Sequence, residues 1–181
     1  MRIIVHVFYK IPVLLLLAGI FLFPTSSNAA KKHFLDSLSG SWKGKGFVVT
    51  SIGAKEEAIR CRLRNRNDTK KVKLAITGSC GIGGVLIPMN GWIQQNKNSS
   101  RYLASLFKSL TFLRIDSFSG RLSGKRLRLH FKGKDKVNKE TISVGIVIVS
   151  RGKNRFDIQL SSTDIKTKRQ FKVGTVKFSR N

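Results

Sequence analysis

Side chains that can do chemistry are few in this chain. Its 181 residues include three His and two Cys, which is too few for a multi-ligand zinc site. His33 and His130 remain once a leader segment is set aside, and neither has a nucleophile and a carboxylate nearby in sequence. A triad assembled from distant residues stays open. The glycines of Gly81-Ile82-Gly83-Gly84 lack the strand–loop–helix setting and the downstream acid of a nucleotide site. The sequence therefore predicts a protein that is not an enzyme and uses neither a cofactor nor a metal.

Basic residues are the second chemical feature. The chain has 35 Lys and Arg against 9 Asp and Glu, a formal net charge of +26. Two stripes carry cations at every second residue, so each stripe lies on one face of a strand with a spacing of about 6.8 Å. The stripes are Arg60, Arg62 and Arg64, and Arg126, Arg128, His130 and Lys132. Guanidinium groups suit phosphate and carboxylate oxygens, so these residues are candidate anion-binding sites. The alternative is that exposed Lys and Arg only keep strand edges soluble.

The first 29 residues have the features of a cleaved signal peptide. Arg2 and Lys10 form a basic leader, and the apolar run 11–23 has the length of a signal-peptide core rather than of a spanning helix. Small residues around Ala29 suit cleavage after that position. An uncleaved anchor that begins at Ile3 is the alternative, and no Cys at the junction could carry a lipid. We expect residues 30–181 to form one domain, periplasmic or secreted by a Gram-negative cell.

Export decides the state of the two cysteines. An oxidising compartment makes a Cys61–Cys80 disulfide the default, with two free buried thiols as the alternative. Apolar and basic residues alternate on both sides of a turn-rich segment, which predicts a hairpin. Centred just after Lys70, the hairpin places Cys61 opposite Cys80 and Leu63 opposite Gly78. Both sulfurs then point to the apolar face.

The remaining chain repeats this strand pattern. Apolar residues alternate with polar ones around Leu129 and along 142–148, and again through Phe156. A shift of phase at Gly174 predicts a bulge. Eight to ten strands joined by short polar turns are typical of an antiparallel barrel or sandwich. We predict an all-β, antiparallel, eight- to ten-stranded calycin-like barrel.

Two short segments depart from the strand pattern. Residues 33–38 have the features of one helical turn. Leu103, Leu106, Phe107 and Leu110 follow helical spacing, which favours a short helix at 101–110 that leads into a strand near Thr111. A strand across 102–115 is the alternative.

The residues ahead of the first strand carry a resemblance. Gly40-Ser41-Trp42 is similar to the G-x-W signature of lipocalins and related calycin barrels, in which the Trp closes one end of the barrel. This resemblance implies a barrel-closing role for Gly40 and Trp42. Over most of the chain, the order of Gly40-Ser41-Trp42, Arg60-Cys61-Arg62, Cys80 and Phe118-Ser119-Gly120 resembles small exported alphaproteobacterial proteins of unassigned function. That resemblance implies a secreted β-barrel and no particular reaction.

Two functions from different classes follow. The first is a non-enzymatic envelope protein whose cationic surface binds anionic partners, such as the phosphates of lipids or of lipopolysaccharide. Nucleic acid is disfavoured as a partner because the chain is exported and its stripes lack interleaved aromatics for base stacking. The second is a calycin-like carrier of a small apolar ligand inside the barrel. The state of the interior discriminates between them. Four bulky residues, Phe47, Phe131, Phe156 and Phe171, favour a packed core, because an eight-stranded barrel is only just wide enough for side chains.

Overall fold

The computed structural model describes residues 34–49, 53–96, 99–106, 117–134, 141–163, 167 and 169–181. His33 and the predicted signal peptide lie outside these residues. Alternation of buried and exposed side chains makes strands of the described segments, because one face of each strand must leave water. The strands are β1 (Gly40–Val48), β2 (Glu57–Asp68), β3 (Lys73–Ile82), β4 (Val85–Gln95), β5 (Arg101–Ser105), β6 (Phe118–Ser123), β7 (Arg126–Lys134), β8 (Thr141–Ser150), β9 (Arg155–Thr163) and β10 (Gln170–Arg180).

The ten strands of the described residues close into a barrel. Each strand pairs antiparallel with its neighbour in the chain, and β1 pairs with β10. The closing ladder runs from Trp42 opposite Arg180 to Val48 opposite Gly174. Closure removes the unpaired edges that make open sheets prone to aggregation. The predicted antiparallel calycin-like barrel is confirmed, at the upper end of the predicted strand number.

The β2–β3 hairpin has the predicted register. Cys61 pairs with Cys80, and Leu63 pairs with Gly78. The structure joins the two cysteines in a disulfide, with 4.0 Å between their Cα atoms. In the turn, the Asp68 carboxylate accepts hydrogen bonds from the backbone amides of Lys70 and Lys71, at 3.1 and 3.2 Å. This local bond stabilises the turn that sets the register.

The predicted bulge near the end of the chain is confirmed. The β9–β10 register shifts between Lys172 and Gly174. A Cβ atom on Gly174 would lie 2.5 Å from the Phe47 carbonyl oxygen in β1. The bulge and the missing side chain together let β10 lie close against β1, where the barrel closes.

The predicted helix at 101–110 is wrong over its first half. Residues 101–105 form β5, which pairs with β4 and β6. Tyr102 and Ala104 are fully buried, whereas Leu103 between them is 40 % exposed. The segment therefore has a period of two, and counting Leu103 as a core residue produced the helical spacing. Residues 107–110 lie outside the described residues.

Helix is otherwise limited to the predicted N-terminal turn, confirmed at 34–37, within the part of the chain that the structure describes. None of the described helical structure is long and apolar enough to cross a membrane.

Candidate functional site

An aromatic cluster fills one end of the barrel, which we call the closed end. Trp42 of β1 is 1 % exposed. Its ring meets the edge of Phe156 at a centroid distance of 4.8 Å, and Phe156 stacks on Phe178 at 4.5 Å. Gly44 makes room for this stack, because a Cβ atom there would lie 2.5 Å from the Phe178 ring. Trp42, one of the two residues of the predicted closing motif, is therefore packed in a cluster formed by β1, β9 and β10, whereas the other, Gly40, lies beside the Arg180 guanidinium.

The helical turn seals the closed end from outside. Phe34, Leu35 and Leu38 are buried at 4, 0 and 2 % exposure. The Leu38 carbonyl accepts two hydrogen bonds of 2.9 Å, one from the Trp42 indole and one from the Asn65 side-chain amide. Because buried polar groups need partners, these two bonds fix the turn beneath the aromatic cluster.

A cavity lies above the aromatic cluster. Its volume is about 200 Å³. It begins beside Leu63 and Phe178 and extends towards the opposite end of the barrel, which we call the far end and which holds the β3–β4 turn at Gly83 and Gly84. Its lining consists of Val48, Ile59, Cys61, Leu63, Ile76, Cys80, Ile82, Ile87, Met89, Leu106, Ile146, Ile148, Ile158, Leu160, Val176 and Phe178.

The expectation of a packed core is corrected by this cavity, because the four bulky phenylalanines lie elsewhere. Phe156 belongs to the closed end, and Phe131 packs on the β6 side with a ring distance of 5.7 Å to Phe118. Phe47 alternates with the cavity-lining Val48 and lies under the Lys172 ammonium, 4.5 Å from its ring centroid. None of the four, Phe171 included, lines the cavity. Mostly aliphatic side chains remain there, and they leave space.

The cavity lining determines what this space can hold. Among the described lining residues there is no hydroxyl, amide or charged side chain. A polar ligand group would lose its hydrogen bonds to water without replacement, whereas an apolar group would lose nothing and gain contacts. The disulfide of Cys61 and Cys80 forms part of the wall. The described walls offer a binding site for apolar matter and no acid, base or free nucleophile.

Tyr102 is a buried titratable side chain of a type that can act as a general acid or base. It is fully buried, and its hydroxyl lies 3.3 Å from the Gln95 side-chain oxygen, to which it donates a hydrogen bond. Burial raises the pKa of Tyr102 to about 12, because the phenolate would lose its hydration. Tyr102 is not among the residues that line the cavity. At neutral pH Tyr102 is therefore an uncharged phenol that lies outside the cavity lining.

The two cationic stripes lie on opposite sides of the molecule. Arg60, Arg62 and Arg64 are exposed on β2, and the stripe of Arg126, Arg128, His130 and Lys132 is exposed on β7. Since β2 and β7 are five positions apart in a closed ring of ten strands, one flat surface can contact only one stripe. The structure therefore does not bring the two sets of predicted anion-binding residues together.

Register adds two arginines that the sequence did not reveal. Arg101 of β5 pairs with Arg121 of β6, which in turn pairs with Arg128 of β7. These three share a shallow groove with His130 and with Ser119 and Gly120. Like charges directly opposite each other destabilise a sheet. The signal is invisible in sequence, because the residues come together only through the pairing of three strands.

Comparison with known proteins bears on the fold. No protein-family model matches the chain, and no curated protein matches it in sequence. Among solved structures, the S-type phycobiliprotein lyase CPES from Guillardia theta is similar with a TM-score of 0.60 and 10 % identity, over 84 % of this chain and 93 % of that chain. A structure described as EF1p2_mFAP2b bound to DFHBI reaches a TM-score of 0.44 and 8 % identity, over 83 % of this chain and 99 % of that chain. The first likeness places the chain in the same barrel architecture.

Proposed function

We propose that this protein is a carrier that holds a small apolar ligand inside its barrel. The observation that carries the proposal is the cavity of about 200 Å³ with a wholly apolar described lining, directly above the sealed closed end. An apolar cavity of about 150 Å³ stays free of water and binds benzene. A ligand of one or two fused rings, or the apolar end of a longer molecule, therefore matches this space.

Binding rather than catalysis is the better-supported activity. A barrel of this architecture is named a lyase, so the fold alone excludes no enzyme. The described walls of this cavity, however, supply no general acid, base or nucleophile of the kind that catalysis needs. The Cys61–Cys80 disulfide also supports work outside the cytoplasm, in the periplasm or beyond.

The envelope-binding alternative has less support as the main function. Its two cationic stripes lie on opposite sides of the barrel, so they do not form one site for a flat anionic surface. Exposed cations also serve solubility, which needs no partner. The carrier proposal instead rests on an internal site with a defined volume.

Methyl-resolved NMR with naphthalene as the probe tests the proposal. Naphthalene should shift the methyl signals of Ile59, Ile146 and Ile158, which line the cavity, because ring currents act over a few ångströms. Ile146→Phe fills the space and should abolish these shifts. Val147→Phe is the matched control, since Val147 is the next residue of the same strand and lies outside the lining. Methyl signals that stay unchanged with both naphthalene and octane would contradict the proposal.

A further inference from the structure

The β3–β4 hairpin differs from the rest of the molecule in charge. About a quarter of the chain is charged, 24 %. Between Lys73 and Lys97, however, the sequence has no Asp, Glu, Lys or Arg. This stretch includes nearly all of β3 and the whole of β4. One hairpin of a strongly cationic barrel therefore presents a neutral outer face.

The apex of this hairpin exposes aliphatic side chains. Gly83 and Gly84 form the turn with φ angles of +54° and +83°, which glycine adopts without strain. Directly after them, Val85 is 64 % exposed and Leu86 is 70 % exposed, the highest values among the large hydrophobic residues of the described chain. Their apolar surface contacts water at a free-energy cost. Contiguous exposed apolar groups mark contacts with membranes or proteins, and Val85 and Leu86 are adjacent.

The apex stands beside the proposed ligand site. Ile82, before the turn, and Ile87, after it, both line the cavity. The closed end with Trp42 lies at the other end of the barrel, because β1 runs on from Trp42 to Val48, and Val48 pairs with Glu57, which lies next to Gly83 of the apex. A surface that received the apex would therefore meet the molecule at the end towards which the cavity extends.

Cations flank the apex on one side. On the neighbouring strand β2, Arg60 pairs with Gly81 and Arg62 pairs with Ser79. Lys45 of β1 stands opposite Arg60. The acidic neighbours are Glu57, with a carboxylate oxygen 3.0 Å from where a Cβ atom of Gly83 would lie, and the exposed Glu56 that precedes it. Positive charge outnumbers negative charge along this flank, which is the pattern that anionic head groups attract.

We infer that the barrel docks on a bilayer of anionic phospholipids through this apex. Val85 and Leu86 enter the boundary between head groups and acyl chains, while Arg60 and Arg62 lie among the lipid phosphates. A bilayer fits better than a protein partner. The area exposed by two aliphatic side chains is far smaller than the roughly 1,200 Å² buried in a specific protein interface. Anchoring at a bilayer surface needs only a small apolar area together with cations. The inference rests on the proposed function in one respect, since the bilayer is where an apolar ligand would be collected or delivered.

Vesicle binding with paired variants tests the docking. The protein recovered from the periplasm of a Gram-negative host is mixed with vesicles of phosphatidylglycerol and phosphatidylcholine, or of phosphatidylcholine alone, and sedimented. Arg60→Gln/Arg62→Gln should weaken binding to the anionic vesicles about fivefold for each arginine that reaches the head groups. Arg126→Gln/Arg128→Gln removes the same charge from the opposite side of the barrel and should weaken binding less than twofold at 150 mM salt, where screening is strong. Equal losses from the two pairs would overturn the inference, because net charge alone would then act.

A fluorescent residue at the apex tests the orientation. Leu86→Trp should gain blue-shifted emission on adding anionic vesicles, because an indole ring at that position enters the interface. Ser123→Trp is the matched control, since Ser123 is exposed next to the β6–β7 turn at the closed end, and its emission should stay unchanged. A shift at Ser123→Trp, or none at Leu86→Trp, would overturn the inference.

The docking and the carrier function can fail separately. Val85→Ser/Leu86→Ser should lose at least tenfold in vesicle binding and keep the naphthalene-induced methyl shifts of the cavity. If that variant binds vesicles as tightly as the natural protein, the docking is wrong, and a protein partner becomes the reason for the exposed apex. If naphthalene fails to shift the cavity methyls of the natural protein, the carrier proposal is wrong whatever the vesicles show.

Discussion

Replacing Trp42 by Ala tests how the closed end is held. The side chain is 1 % exposed, and a buried aromatic ring of this size removes about 150–250 Å² from water. At about 25 cal/mol per Å² the transfer part alone is about 4–6 kcal/mol as an upper limit. Measured losses for Trp or Phe to Ala in cores are about 3–5 kcal/mol. We expect Trp42→Ala to lower the free energy of unfolding by about 4 kcal/mol, and the melting temperature by about 10 °C.

Urea titration followed by far-ultraviolet circular dichroism measures this loss without relying on tryptophan emission. Trp92→Ala is the comparison variant, because Trp92 is less deeply buried than Trp42 and its ring lies under the Lys73 ammonium, 5.0 Å from the ring centroid. That variant should lose less than Trp42→Ala, about 2 kcal/mol, because part of the Trp92 ring already contacts water in the folded protein and less buried area is removed. Trp42→Phe keeps a ring and loses the indole donor to Leu38, so it should fall between the two. Equal losses for Trp42→Ala and Trp92→Ala would refute the sealed closed end.

Three further predictions concern the barrel wall. Cys61→Ala/Cys80→Ala should lower the free energy of unfolding by about 3 kcal/mol on the chain-entropy model, since the cross-link spans 19 residues. In the natural protein, the intact mass after alkylation should show no free thiol. The phenol of Tyr102 should ionise near pH 12 in the folded protein and near pH 10 in urea, followed by absorbance at 295 nm. The stability from keeping that phenol neutral is complete below pH 10 and disappears as the pH rises through 12, and Tyr102→Phe should remove this dependence. Gly46→Ala should unfold the barrel, because its Cβ atom would lie 1.8 Å from a carbonyl oxygen of β10. Gly81→Ala is the control and should fold, because its Cβ atom would lie 3.9 Å from the nearest atom. Equal stability of these two variants would contradict the β1–β10 pairing.

The β2–β3 hairpin could be predicted from sequence because two independent constraints agree. Alternating apolar residues set the inward face, and the two cysteines are expected to pair if the chain is exported. Only one register satisfies both, and it places Cys61 opposite Cys80. The Gly174 bulge was predictable for a similar reason, since a change of phase in an alternating strand requires an extra residue.

The cavity could not be predicted, because hydrophobicity alone indicated that the Phe47 side chain points into the barrel and fills it. In β1 the inward positions next to it belong to Gly44 and Gly46, whose missing side chains admit the Phe178 ring and the backbone of β10. Phe47 therefore points outward to Lys172. Glycine gives no hydrophobic signal, so an inward face made partly of glycine is not recognisable by pattern.

For β5 the favoured prediction, a helix, was wrong for a different physical reason. Its short ladder with β4 covers Trp92 to Gln95, and one of its apolar residues, Leu103, faces solvent. Tertiary pairing decides such a segment, and local spacing does not contain that information. For the same reason, the sequence did not predict that Arg101, Arg121 and Arg128 are neighbours, because only the pairing of β5, β6 and β7 brings them together.

A crystal of the protein soaked in bromobenzene tests the carrier proposal most directly, because the anomalous signal of bromine locates the ligand without reference to the protein. We expect one bromine peak inside the barrel, within van der Waals contact of Ile146, Ile158 and Val176, above the aromatic cluster of Trp42. The Ile146→Phe crystal should lack this peak. A natural protein whose interior holds no bromine, or whose bromine peaks lie only on the outer surface, would contradict the proposal that the barrel carries an apolar ligand.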